Sequence, residues 1–241
     1  MFYYFEYYVN KDHLFDALQS LGLTSAAAGA NPGGAWHYLL NTFGLIVDAE
    51  RKNVSSVGFS LFNMSSQCVT VVGVAFSTFL TIRFGKKAVA IVAFSLAMVF
   101  MALFILLPAD AIGATFILEY LRALAYAPTI PLMWAMFADV VDYAEWKTGR
   151  RTTGVIYATI LFGLKAGLSL GGAIAGWLLS GYGYKPNQVQ TPEALQGIRL
   201  TISVYPAILL LIVVLCLLGY KINKKLNIQI QDELAERRKR F

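Results

Sequence analysis

Five apolar stretches set the pattern of this chain: residues 57–82, 89–107, 112–141, 153–182 and 200–220. A helix needs about 20 predominantly apolar residues to cross a bilayer, and each run meets that length or falls just short of it. A sixth apolar piece, residues 1–9, is too short to cross and reads as the end of a span whose first part is missing. Residues 10–56 form a polar connection rich in Gly, Ala, Ser and Asn. Within it residues 37–47 are apolar but too short to span, which predicts a segment that lies at the interface or folds back. After residue 222 the pattern turns polar, and the tail 223–241 reads as a short amphipathic helix with a basic end, either solvated at the lipid surface or serving as a partner site. The expected architecture is an all-α, multi-pass membrane protein with a five-helix bundle over residues 57–222.

Composition agrees with that pattern. The 241 residues are 57% hydrophobic and only 14% charged, where a soluble domain carries about 25% charged residues. Apolar runs recur along the whole length, which excludes a secreted protein behind a signal peptide. The net charge of +6 does not point to nucleic acid, because the cations sit in short loops and in the tail. Arg83, Lys86 and Lys87 follow the first full span; Lys147, Arg150 and Arg151 follow the third; seven more fill the tail. Together these three regions hold 13 of the 20 Lys and Arg. The opposite side has Lys11, Arg51, Lys52, Lys185 and Arg199. The positive-inside rule then places the 83–87 loop, the 146–151 loop and the C-terminus in the cytoplasm. Cys68 and Cys216 lie inside apolar segments, match no metal or redox spacing, and read as buried thiols.

Polar residues inside the spans are the candidate chemistry. Lys165 stands twelve residues into the fourth span, about 18 Å from its start at 1.5 Å per residue, near the middle of a core about 30 Å thick. A charge there costs at least about 2.5–3.5 kcal/mol, so it needs a cavity, an acid or a substrate. Snorkelling to the surface is the alternative, and its reach is a few ångströms. Gly163, Gly167 and Gly171 repeat at intervals of four on the reverse face, which predicts close packing against another helix. Ser169 shares the Lys165 face and Tyr157 lies near its edge, so this helix suits the border of an aqueous cavity. In the third span Glu119 and Arg122 are three apart and can pair, either as a structural ion pair or as a polar lining. Pro128 and Pro131 follow and predict a bend. The span ends in Asp139, Asp142 and Glu145, then Trp146 and the basic loop with Arg151. This reads as an ordinary interfacial helix end, as a gate, or as a metal-binding Asp-x-x-Asp pair.

The run ADVVDYAEWKTGRRTTG, residues 138–154, resembles the signature of the glycoside–pentoside–hexuronide:cation symporters, a branch of the major facilitator superfamily. The preceding PTIPLMWAMFADV, the later FGLKAGLSLGGAIAGW and the RFGKK of the 83–87 loop are similar to that family too. The resemblance covers about residues 56–222. It implies the C-terminal six-helix bundle of a twelve-helix transporter with its first helix truncated. It also implies alternating access, a sugar or glycoside substrate, and Na⁺ or H⁺ as coupling ion, with no other cofactor. Lys165 falls on the lysine of the family's eleventh helix, associated with the sugar and cation pathway. Asp139, Asp142, Glu145 and Arg151 fall in the cytoplasmic gate region. The acids associated with the cation lie mostly in the missing N-terminal half, which is the expected partner along with the lipid bilayer, here the cell (inner) membrane. Two other readings stand beside it: an intramembrane lipid-phosphate enzyme with Mg²⁺ on Asp139 and Asp142, and a structural half-protein that does not transport.

Overall fold

Sequence-local signals place the helices. The computed structural model of the chain describes residues 1–24 and 35–239. Residues 25–34 of the polar connection and residues 240–241 of the basic tail lie outside the described residues. The described helices are α1 (Phe2–Tyr7), α2 (Lys11–Ser20), α3 (Ala35–Thr42), α4 (Val54–Phe84), α5 (Lys86–Leu103), α6 (Ile112–Tyr126), α7 (Thr129–Thr148), α8 (Thr153–Gly181), α9 (Pro192–Ile202), α10 (Val204–Gly219) and α11 (Lys224–Lys239). A 3₁₀ turn, Phe104–Leu106, prolongs α5. Among the described residues five stretches are long and apolar enough to cross a membrane: α4, α5 with its turn, α6 with α7, α8, and α9 with α10. Many large apolar side chains face outward, such as Val71, Phe76, Leu168 and Leu209. That exterior suits lipid and not water.

The chain forms two compact units. The first comprises Met1–Val69, Phe100–Ala123 and Leu178–Ala207; the second comprises Thr70–Val99, Leu124–Trp177 and Ile208–Phe241. The first unit has an aromatic core. Phe5 meets Phe62 at 5.0 Å between ring centroids, and Phe62 meets Phe116 at 5.4 Å, both edge-to-face, the arrangement that ring quadrupoles favour. Leu14, Leu18, Leu40, Leu45 and Val47 of the polar connection are buried in the same core. The described parts of that connection therefore contribute to the core, which their composition does not suggest. Asn10 caps α2, its Oδ1 accepting from the Asp12 amide at 3.0 Å, which satisfies one of the donors that a helix start leaves open. A parallel bridge joins Thr24 and Val47. Within the apolar segment 37–47, α3 and the following turn bring Leu40, Leu45 and Val47 into this core. In the second unit Val89, Ala90 and Phe94 of α5 pack with Leu132 and Met136 of α7 and Val214 and Leu217 of α10.

Two spans are broken where proline requires it. The third ends as α6 at Tyr126 and restarts as α7 at Thr129. Pro131 has no N–H to give the Ala127 carbonyl, and its ring clashes with a continuous turn there. The restart puts Pro131 in the first turn of α7, where an amide has no intrahelical partner anyway. The Thr129 hydroxyl donates to the Tyr126 carbonyl at 2.6 Å, satisfying an acceptor left open by the break. The last span begins earlier than its apolar pattern, at Pro192, and breaks at Ser203. The cause is again a proline, Pro206, which cannot bond the Ile202 carbonyl. The Ser203 hydroxyl turns back to the Arg199 carbonyl at 2.5 Å.

Two sequence expectations are corrected. Cys68 and Cys216 are not buried thiols; both are exposed. Each lies in an apolar helix whose outward face is itself apolar, so hydrophobicity does not distinguish core from lipid-facing positions. The tail is helical as expected, but α11 is not a free surface helix. Ile230 and Leu234 are buried, and Trp146 of α7 donates through Nε1 to Glu233 Oε2 at 2.6 Å.

Candidate functional site

In the first unit a buried carboxylate organises the polar contacts. Glu119 is 3% exposed, on the face of α6 turned toward α4. Arg122, one turn later, donates from Nε to Glu119 Oε2 at 2.7 Å and from Nη2 to Oε1. Ser66 of α4 donates its hydroxyl to Glu119 Oε1 at 2.7 Å. Beside it Tyr120 donates to Ser65 Oγ at 2.9 Å. The carboxylate thus has both a counter-charge and hydrogen bonds, the condition under which a buried ion is tolerated. The expected pair is present. Ser65, Ser66 and Tyr120 were not foreseen, although the polar run Asn63, Ser65, Ser66, Gln67 inside an apolar span is a signal for them.

In the second unit Lys86 of the 83–87 loop ties that loop to the acid-rich end of α7. Gly85, at φ +84°, makes the turn between α4 and α5, a conformation that favours glycine. Lys86 then reaches the buried Asp139 carboxylate, its Nζ 2.7 Å from Oδ1 and 2.8 Å from Oδ2. Lys87 Nζ donates to the Leu218 and Tyr220 carbonyls at 3.0 and 2.6 Å. Lys224 Nζ donates to the Ile82 carbonyl at 2.8 Å. Both lysines satisfy acceptors at helix C-termini, where positive charge is favoured. Arg151 lies 3.6 Å from Glu145. Arg237 of α11 donates to the Trp146 carbonyl at 3.1 Å. Asp142 makes no ion pair among the described residues. Asp139 and Asp142 are therefore not a matched pair of open ligands, since Lys86 occupies the first. Glu233 is held below the usual carboxylate range by its hydrogen bonds from Trp146 and Gln229.

The helix that carries Lys165 differs from the others. Of α8, only Leu179 is buried. Lys165 and Ser169 are exposed and Tyr157 is half-buried. Lys165 makes no ion pair among the described residues. A Cβ added at Gly163, Gly167 or Gly171 meets nothing within 4 Å, so the close neighbour expected for that stripe is not found among the described residues. Close packing occurs at a glycine outside the stripe. A Cβ at Gly73 of α4 falls 2.5 Å from Ala127 Cβ, at the break between α6 and α7.

Comparison with known proteins fits this arrangement. The model of the family described as MFS/sugar transport protein matches residues 51–224. The chain is 39% identical to the uncharacterized symporter YnaJ of Bacillus subtilis, over 44% of this chain and 23% of that one. It is 37% identical to the putative glycoside/cation symporter YagG of Escherichia coli K12, over 54% and 29% of the two chains. It is 38% identical to the glucuronide carrier protein homolog of the same organism, over 46% and 24%. The matched region thus spans about a quarter of the length of these curated relatives. A family match over most of the length, on five membrane-length helical stretches, makes this chain a member of the MFS/sugar transport protein family, consistent with its glycoside–pentoside–hexuronide:cation symporter branch.

Proposed function

We propose that this chain acts as the C-terminal half of a sugar or glycoside:cation symporter that works by alternating access. The observation that carries the reading is α8, a helix of 29 residues with an exposed lysine at its middle and no described neighbour over its glycine stripe. A mid-bilayer ammonium facing lipid costs at least about 2.5–3.5 kcal/mol. A helix bearing one therefore borders water, substrate or further protein. Lys165 supplies the charge on that border, with Ser169 and Tyr157 as its polar companions. Glu119 and Arg122, fixed by Ser66, add a second polar group to the pathway. Gly163, Gly167 and Gly171 give close approach to an N-terminal half. Asp139, held by Lys86, and Glu145, beside Arg151, close the cytoplasmic side in one state and release in the other, with Asp142 in the same cluster. Rocking of two bundles about a midplane site is the general mode of such carriers. The coupling ion is Na⁺ or H⁺, and the C-terminus lies in the cytoplasm of a cell (inner) membrane.

Gradient-driven uptake tests this. In proteoliposomes the 241-residue chain alone is expected to take up neither a labelled glycoside nor a labelled glucuronide under a Na⁺ or H⁺ gradient. Co-expression with a matching N-terminal half restores uptake, and Lys165→Leu in that complex abolishes accumulation while leaving the amount of complex unchanged. Robust uptake by the chain alone, or full uptake by Lys165→Leu, refutes the reading.

A further inference from the structure

We propose that the cavity beside the α4–α5 turn binds the phosphate of an anionic phospholipid. The cavity lies in the second unit and measures about 420 Å³, within the roughly 300–1,000 Å³ range of ligand sites. Its lining sorts into two kinds. Phe84, Ala88 and Ile91 are apolar, at the ends of two membrane-crossing helices, whereas Lys87, Lys224 and Lys225 are cationic. No carboxylate lines it. An adjoining cavity of about 230 Å³ shares Gly85, Lys87, Asn223 and Lys224 and contains Asp139, which is already paired with Lys86.

The state of the lysines points to an anion. Lys87 and Lys224 are held by backbone carbonyls and not by acids, so no carboxylate among the described residues offsets their charge. An ammonium has three donors; Lys87 uses two on carbonyls and Lys224 uses one, leaving donors for a ligand. Lys225 makes no hydrogen bond or ion pair among the described residues. The helix geometry adds to this. The cavity lies at the starts of α5 and α11, where amides without intrahelical partners favour negative charge. The apolar half of the lining decides between sources of phosphate. A free phosphate ion has no use for Phe84 and Ile91, while a phospholipid places its glycerol and first acyl carbons there. The site sits at a turn between two spans, which is where a bilayer presents its headgroups.

Native mass spectrometry of the full chain in mild detergent, titrated with dioleoylphosphatidylglycerol or dioleoylphosphatidylcholine, reads the site. About one phosphatidylglycerol per chain should be retained in preference to phosphatidylcholine. Lys225→Gln should weaken retention about fivefold, since one lysine near an anionic lipid is worth about 1 kcal/mol. Lys87→Gln with Lys225→Gln should lose it, and Lys185→Gln, on the loop after α8, should change nothing. Lys87 and Lys224 also tie helix ends together, so Lys225→Glu, which removes no hydrogen bond or ion pair among the described residues, is the decisive variant; it must abolish retention with unchanged helicity. Equal retention of the two lipids, or wild-type retention by Lys225→Glu, overturns the proposal. So does displacement of the lipid by millimolar inorganic phosphate, which would make this a free-anion site.

Discussion

Glu119 and Arg122 show what a single residue's spacing can and cannot reveal. Their separation of three predicts the pair, because residues three apart share a helix face. The partner on another helix, Ser66, has no such local rule; its hydroxyl is one of several in α4, and only folding selects it. The same holds for Asp139. Its register on α7 is legible, but its link to Lys86, 53 positions away, requires the turn at Gly85. Glu119 is 3% exposed and the Arg122 side chain 23%, so removing the carboxylate leaves a guanidinium that is only partly solvated without its counter-charge. Breaking a buried pair costs about 3–5 kcal/mol, whereas neutralising both partners removes the penalty. Glu119→Gln should therefore lower the yield of folded protein more than Glu119→Gln with Arg122→Gln. Monodisperse yield by size-exclusion chromatography measures this, and equal losses would mean the two charges do not compensate each other.

At the scale of elements, proline and glycine made the breaks legible while packing partners stayed hidden. Pro131 predicts the interruption between α6 and α7 because its chemistry is local. Pro206 carried the same signal, and the strong apolar run around it obscured the break at Ser203. Glycine was harder to read. The regular Gly163–Gly167–Gly171 stripe drew attention, yet the close contact is at Gly73, where an added methyl falls 2.5 Å from Ala127 Cβ and 3.3 Å from the Leu124 carbonyl oxygen. Gly73→Ala should destabilise the chain by about 1–3 kcal/mol through overpacking. Gly163→Ala, with nothing in reach, should leave thermal unfolding of the isolated chain unchanged or slightly raised, since mid-helix glycine disfavours the helix by roughly 0.5–1 kcal/mol. The opposite ranking would overturn the assignment of the close contact. The tail helix gives a pH-dependent test. Glu233 is more acidic folded than unfolded, because Trp146 and Gln229 bond its ionised form. Its contribution is present above the unfolded carboxylate pKa and is lost as pH falls through the lower folded value. Acidification below the usual carboxylate range should release α11 from α7, seen as a change in Trp146 emission. In Glu233→Gln that transition should be absent.

For the whole molecule, the number of membrane-crossing stretches was readable because the bilayer imposes a length and an apolar composition on every span. Which face of a span meets lipid was not readable, since core and exterior are equally apolar; the exposed Cys68 and Cys216 show this directly. Orientation is a separate question, argued from charge alone. The 83–87 and 146–151 regions and the tail hold 13 of the 20 Lys and Arg. Translocation works against such clusters, so they are expected to stay on the cytoplasmic side. The structure adds a reason to group them: Lys224 of the tail binds the Ile82 carbonyl beside the 83–87 loop, and Arg237 binds Trp146 beside the 146–151 loop. These contacts require the three regions to share one side of the membrane. With α8 crossing once, as its length and composition predict, the loop between α8 and α9 is expected on the other side. Val189 on that loop is 99% exposed, which makes it a good reporter. With Cys68 and Cys216 replaced, an impermeant maleimide added to intact cells should label Val189→Cys at once. Lys147→Cys should react only after permeabilisation. Labelling of position 147 from outside would invert the topology and with it the assignment of Asp139, Glu145 and Arg151 to a cytoplasmic gate.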